Sequence, residues 1–204
     1  MAQSPVQPLT DAELKALAHP LRVRMLDALA VDGPATASQL AHRFGESSGA
    51  TSYHLRQLAR HGFIEEDEQR SDGRQRWWRI LRRGWYGHLF EFQHRDETRA
   101  HANVLLHEVT RARLERLHGW FEGYDRWDDH WTRSSLDSDS RVRLTAEELE
   151  QVSQDLLEVV MRYVDIDRHR EAPHDAALVD IQVYAFPLRL VTDEQANESD
   201  EPER

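Results

Sequence analysis

Residues 36–64, TASQLAHRFGESSGATSYHLRQLARHGFI, constrain the fold more than any other stretch, because two short helical patterns follow each other with one glycine between them. In the first pattern Thr36 is a natural N-cap residue, and Leu40 and Phe44 recur at the spacing of one helix face. Gly45 comes next and tolerates the backbone conformation of a tight turn. This stretch therefore predicts a short helix that ends in a sharp turn.

The second pattern is a helix with one apolar face. Ser47 is its N-cap residue, and Thr51, Leu55 and Leu58 form the stripe that faces the core. Gly62 stands at the position where many helices end in a left-handed residue. Two short helices joined by a glycine turn predict a helix–turn–helix unit.

The flanking segments extend this unit to a winged helix–turn–helix. Thr10 and Glu13 predict a capping box for one preceding helix, and Pro20 lies in the first turn of another. After the unit, FIEEDEQRSDGRQRWWRIL is typical of two strands around Asp72-Gly73, a common hairpin turn pair. The hairpin is the predicted wing.

Two segments of this domain resemble the arsenic-resistance-repressor (ArsR) type of winged helix–turn–helix regulators. LAHPLRVRMLDAL at residues 17–29 is similar to that family's second helix. Residues 37–64 are similar to its DNA-reading unit, including the Ser-x-His-Leu motif at 52–55. The resemblance covers residues 10–82. It implies a homodimeric transcriptional regulator that binds double-stranded DNA. Of the two kinds of regulator, it favours a repressor.

The exposed face of the second helix is the first candidate DNA-binding surface. A recognition helix contacts base edges in the major groove from its N-terminal half. With the apolar stripe inside, the outward residues are Ser48, Gly49, Ser52, Tyr53 and Arg56. Arginine suits a bidentate contact to guanine, and glycine lets the backbone approach closely.

The wing is the second candidate surface. Arg70, Arg74 and Arg76 surround the hairpin tip, where arginines suit phosphates or a narrow minor groove. A solvated hairpin is the alternative, since acidic residues 65–68 lie at its base. A winged-helix protein–protein adaptor that does not use DNA also remains open. Apolar or acidic residues would be expected on the exposed face of such an adaptor.

The distribution of charge decides where DNA could approach. The chain has a formal net charge of −11, which argues against nucleic acid as a partner. However, residues 1–95 hold 13 basic and 11 acidic residues, whereas residues 96–204 hold 13 basic and 26 acidic residues. The acidity is thus confined to the second half, and any DNA surface is expected in the first.

A long helix is predicted over residues 96–121. One stripe on it comprises Leu106, Thr110, Leu114, Leu117 and Phe121, and a neighbouring stripe comprises Ala102, Leu105, Val109 and Ala112. Together they form a face too wide for an isolated surface helix. In the resembled family such helices build the dimer, so a homodimer is expected through this helix.

The remaining sequence predicts a strand–helix–strand extension. RVRL at 141–144 suggests a short strand, a capping box at Thr145 and Glu148 opens a helix to about residue 163, and LVDIQVYAFPL at 178–188 is rich in β-formers. The predicted fold is mainly α with small β. Its parts are a disordered N-terminus (1–9), the winged domain (10–82), a dimerisation and effector domain (83–191) and an acidic disordered tail (192–204).

Two kinds of sensor are conceivable. The aromatic residues Trp120, Tyr124, Trp127 and Trp131 recur every three or four positions, which suits either core packing or a pocket for a small organic effector. A metal-responsive repressor with histidine and carboxylate ligands is the other hypothesis, based on His107, His118 and Glu115. Leu105 and Phe121 break the expected ligand pattern, and the sequence predicts neither a metal site nor a cofactor.

An enzyme is not indicated. The sequence contains no Gly-rich phosphate loop, no Gly-x-Ser-x-Gly and no His-Glu-x-x-His motif. No apolar run approaches the ~20 residues of a membrane span. There is no signal-peptide pattern and no cysteine, and a cytoplasmic location is the simplest expectation.

Overall fold

The computed structural model describes residues 9–70, 75–81 and 89–188, and they form a mostly helical chain with a small three-stranded sheet. This confirms the predicted fold class of mainly α with small β. In chain order the elements are α1 (Asp11–Leu17), α2 (Pro20–Val31), β1 (Ala35–Thr36), α3 (Ala37–Phe44), α4 (Ser48–Arg60), β2 (Ile64–Glu66), β3 (Trp77–Ile80), α5 (Leu89–Gln93), α6 (Asp96–Gly123), α7 (Asp129–Ser134) and α8 (Ala146–His169). A 3₁₀ turn, Tyr124–Arg126, joins α6 to α7.

The predicted helix ends in the winged domain are confirmed. The Thr10 hydroxyl accepts from the Glu13 amide at 3.2 Å, and the Glu13 carboxylate accepts from the Thr10 amide at 2.8 Å. Thr36 and Gln39 form the same reciprocal pair at the start of α3. Gly62, with φ +70°, follows α4, and the Phe63 amide donates back to the Leu58 carbonyl at 3.1 Å.

The sheet has the order β1–β3–β2 with antiparallel neighbours. Strands β2 and β3 confirm the predicted hairpin, with Ile64 opposite Ile80 and Glu66 opposite Trp78. Its Asp72-Gly73 turn and Arg74 lie outside the described residues. Strand β1 was not predicted, because two residues are too few to show an alternating pattern.

One hydrophobic core joins α1–α4, the sheet and the first half of α6. Leu14, Leu17, Met25, Leu29 and Leu105 are among its fully buried side chains. Helix α6 confirms the predicted long helix and packs on α1, α2 and α5. Its residues Thr98, Ala102, Leu105 and Val109 are buried. The other apolar stripe is mainly exposed at its end, at Leu114, Leu117 and Phe121.

The chain divides into two compact units, residues 1–136 and 137–204. The division lies after Leu136, whereas the sequence placed a boundary after residue 82. The difference arises because α6 contributes Ala102 and Leu105 to the core of the winged domain. The first half of helix α6 thus shares the core of the winged domain.

The predicted strand–helix–strand extension is wrong in its strands. Helix α8 begins with the predicted Thr145–Glu148 capping box and continues to His169, beyond the predicted end. Residues 141–144 and 178–188 form no strand in the structure. A strand is stable only when its backbone pairs with a neighbouring strand. The predicted disorder of residues 1–8 and of the acidic tail lies outside the described residues.

Candidate nucleic-acid interface

Helix α4 is held with one face in the core and the other outward. The Ser47 hydroxyl accepts from the Ala50 amide at 3.2 Å and fixes the start of the helix. Thr51, Leu55 and Leu58 are fully buried, as the sequence predicted for the inner stripe. Gly45, with φ +67°, makes the turn from α3. The buried stripe fixes the rotation of α4 and thereby determines which side chains face solvent.

The structure brings the five candidate residues of α4 together on its outer face. Ser48, Gly49, Tyr53 and Arg56 are exposed and Ser52 is half-buried. The Arg56 Nε donates to the Ser52 carbonyl at 3.0 Å, which anchors the guanidinium but uses only one of its N–H donors. Tyr53 is 53% exposed, so its ring is accessible on this face.

Arg70 and Arg76 of the wing are paired with acids at the base of the hairpin. Arg76 Nε lies 3.2 Å from a Glu66 carboxylate oxygen, and Arg70 Nε lies 3.8 Å from an Asp67 oxygen. The Arg70 guanidinium also lies 5.7 Å from the centre of the Trp77 ring. These cations are exposed but partly neutralised. The sequence placed the acids beside the wing without showing that they pair with its arginines.

A cleft of about 450 Å³ lies where α3, α4 and the wing meet. The lining side chains include Ser38 from α3, Ser52 and Arg56 from α4, and Gln75 and Arg76 from the wing. The sequence had not singled out Ser38 or Gln75. The position of Ser38 in the first turn of a predicted helix–turn–helix could have indicated it, whereas Gln75 required the fold. The cleft is lined by residues from both predicted DNA-binding surfaces and so joins them.

His54 supports α4 from behind this surface. Its ring centroid lies 4.3 Å from that of His19 on the segment before α2, and its Nδ1 is buried without a hydrogen-bond partner. Burial lowers the pKa of His54, and the nearby His19 and Arg22 lower it further. The same face of α4 brings the Tyr53 ring edge-on to His54 at 5.3 Å. This packing indicates a structural role for His54.

Three of the four candidate effector residues form an aromatic cluster at the end of α6. The ring centroids of Trp120 and Trp127 are 6.4 Å apart, and those of Trp127 and Trp131 are 6.0 Å apart. Trp120 and Trp131 are half-buried, while Tyr124 and Trp127 are 53% and 45% exposed. The rings therefore stand partly in solvent, which core packing within this unit does not account for.

The histidines considered as metal ligands lie apart from one another. His107 Nδ1 is 3.4 Å from a carboxylate oxygen of Glu108, and His118 is exposed further along α6. Glu115 pairs with Arg111 at 2.5 Å. Within residues 9–70, 75–81 and 89–188, no three His, Asp or Glu side chains are grouped so that they could hold a metal ion. In the same part of the chain, no helix is long and apolar enough to cross a membrane.

Comparison with known proteins identifies the domain. Residues 17–67 match the model of a helix-turn-helix domain family, from the end of α1 to the residue after β2. This match supports a DNA-binding transcriptional regulator. No curated protein sequence matches the chain.

Among solved structures, the chain is similar to two structures of a mutant of ZitR from Lactococcus lactis. The first, in its apo form, shares 16% identity with a TM-score of 0.32 and covers 72% of this chain and 83% of ZitR. The second shares 17% identity with a TM-score of 0.30 and covers 80% of each chain. At these identities and TM-scores the similarity says nothing about function.

Proposed function

We propose that this protein is a homodimeric, sequence-specific transcriptional repressor of the ArsR type that acts on DNA in the cytoplasm. The observation that carries the proposal is the outer face of α4. Its polar residues Ser52, Tyr53 and Arg56 stand opposite the buried stripe of Thr51, Leu55 and Leu58. A helix so placed, after a glycine turn, presents its N-terminal half to the major groove.

The wing would add phosphate contacts beside the recognition helix. Arg70 and Arg76 flank the hairpin, and Arg76 shares a cleft with Arg56. In the unbound protein these cations face Asp67 and Glu66. On DNA, a phosphate would compete with the carboxylate for each arginine, because both groups offer two anionic oxygens that accept from the guanidinium. Arg74 is proposed to act with them.

The exposed stripe of α6 supports the dimer. Leu114, Leu117 and Phe121 recur at helical spacing and are 55%, 41% and 52% exposed. Half-exposed apolar rows of this kind indicate a protein interface in a soluble protein. Pairing two copies through α6 would place two recognition helices about 34 Å apart, so that they enter successive major grooves on one side of the duplex.

A small organic effector would bind at the aromatic cluster of Trp120, Trp127 and Trp131, with Tyr124 as the fourth candidate residue. The support is its partial exposure beside the proposed dimer helix. Neighbouring aromatic rings that form an apolar wall, together with a few polar groups, are typical of sites for small organic molecules. Binding there would alter the pairing of α6 and hence the spacing of the recognition helices.

Selection of bound sequences from a random duplex library tests the proposed function. We expect enrichment of an inverted repeat whose half-sites are about one helical turn apart, centre to centre. A variant with Ser52, Tyr53 and Arg56 all replaced by alanine should fold but enrich nothing. Retention of DNA without any enriched sequence would contradict a specific regulator. Absence of DNA binding would favour the protein–protein adaptor.

A further inference from the structure

Six apolar side chains of α8 follow a strict alternation of three- and four-residue steps. They form one seam along the helix, consisting of Leu149, Val152, Leu156, Val159, Tyr163 and Ile166. Such a 3–4 repeat is the signature of a helix that packs lengthwise against another helix. The pattern spans the whole of α8.

This seam is largely uncovered in the single chain. Val152 and Leu156 are 36% and 40% exposed, Val159 is 50% exposed and Tyr163 is 60% exposed. Leu149 is half-buried, at the capped end of the helix. A row of apolar side chains along a 24-residue helix is too extensive to remain in water without a partner. A partner helix is therefore expected to cover the seam.

The seam is self-complementary when two copies of α8 run in opposite directions. In an antiparallel coiled coil the first apolar position of one heptad packs against the second of the partner. Leu149 would then meet Ile166 of the partner subunit, Val152 would meet the partner's Tyr163, and Leu156 would meet the partner's Val159. Every seam residue is matched, and the large tyrosine faces the smaller valine.

The charges of α8 favour the same direction. Its N-terminal part holds Glu147, Glu148, Glu150, Asp155 and Glu158 without a basic residue, and its basic residues all follow position 161. A parallel pair would bring the two acidic stretches side by side. The antiparallel pair separates them and places Asp155 beside the partner's Arg162, next to the seam on both helices.

We propose that α8 is a second self-association surface, on which the α8 helix of another copy packs in antiparallel orientation. The pairing rests on the proposed homodimer, because an antiparallel pair of about three heptads is weak by itself. The α6 dimer would hold the second α8 at high local concentration. The role of the acidic second unit would then be to lock the dimer.

Because the chain has no native cysteine, only introduced cysteines can form a disulfide. Three samples would be oxidised under identical mild conditions. They are Val152→Cys, Tyr163→Cys, and an equimolar mixture of the two variants after subunit exchange. The mixture should form covalent dimers about tenfold faster or more than either variant alone, because only unlike positions are opposed. Gln154→Cys, on the opposite face of α8, is the control for random collision.

Two results would overturn the proposal. If Val152→Cys alone links as fast as the mixture, the helices are parallel. If the mixture does not exceed Gln154→Cys, another surface covers the seam. Light scattering on the same samples separates this inference from the proposed function. A dimer without the cross-link contradicts α8 pairing alone, whereas a monomer contradicts the proposed homodimer as well.

Discussion

The imidazole rings of His19 and His54 lie with their centroids 4.3 Å apart, where the start of α2 meets the recognition helix α4. His19 is the N-cap residue of α2, and its Nδ1 accepts a hydrogen bond from the Leu21 amide at 3.2 Å. A protonated Nδ1 could not accept this bond. The contact between the two helices therefore depends on neutral imidazoles.

This relationship predicts acid-sensitive stability. Burial and the nearby Arg22 lower the pKa of His19. Burial, His19 and Arg22 lower the pKa of His54. Glu46 raises both pKa values and so opposes these effects. As pH falls below the ordinary value of 6.5, the unfolded chain takes up protons before the folded chain. The stability from neutral histidines is present above that pH and is lost as pH falls toward the lowered pKa values.

Replacing one member of the pair should weaken this dependence. In His54→Gln the free energy of unfolding should fall less between about pH 7.5 and 5.5 than in the original protein. Urea unfolding at a series of pH values measures it. His94→Gln, at an exposed site directly after α5, is the matched control for the loss of one histidine. An identical pH dependence in His54→Gln would show that the pair does not control it.

Arg56 is the side chain best placed to contact a base. Arg56→Ala should leave the fold intact, because the side chain is exposed, and should weaken specific binding by about 1–3 kcal/mol per half-site. Fluorescence anisotropy on specific and random duplexes measures the difference. Arg60→Ala, exposed in the last turn of α4, is the control. Equal weakening on both duplexes would mean that Arg56 contacts only phosphate.

The pairing of Glu66 with Arg76 predicts that the wing is restrained electrostatically. Glu66→Gln removes the carboxylate 3.2 Å from the guanidinium and should strengthen DNA binding at low salt. If it adds one phosphate contact per subunit, the slope of log K against log salt should steepen by about 2 for the dimer. Glu122→Gln makes the same charge change far along α6. A slope equal to that of this control would exclude Arg76 from the phosphate contacts.

The sequence predicted those features that depend on neighbouring residues. Capping at Thr10, Thr36 and Ser47 and the turn at Gly62 follow from local chemistry, so the helices of the winged domain could be predicted. The outer face of α4 followed from its buried stripe. The His19–His54 contact could not be predicted, because the residues meet only after α2 and α4 pack together.

The errors arose where a pattern needs a distant partner. The β-forming residues at 141–144 and 178–188 predicted strands, but β propensity does not supply the neighbouring strand that pairing requires. The Glu66–Arg76 pair similarly depends on the register of β2 against β3. Two apolar stripes on α6 were predicted correctly as a broad face, but only the fold distinguishes the buried stripe from the exposed one.

The exposed stripe of α6 gives the last prediction. Leu114→Glu places a charge in the stripe that Leu114 forms with Leu117 and Phe121. It should convert the dimer to a monomer at micromolar concentration. The monomer should remain folded, because Leu114 is 55% exposed and outside the core. Light scattering gives the mass, and circular dichroism checks the helix content.

Val104→Glu is the matched control for this change. Val104 is also an apolar residue on α6, 37% exposed, but it lies about a quarter turn around the helix from Leu114. The control should remain a dimer with normal DNA affinity, whereas Leu114→Glu should lose most of its affinity, because a single recognition helix covers only one half-site. A Leu114→Glu protein that stays a tight dimer would move the interface away from this stripe. A Leu114→Glu monomer that binds the full operator as tightly as the original protein would show that dimerisation does not determine DNA affinity.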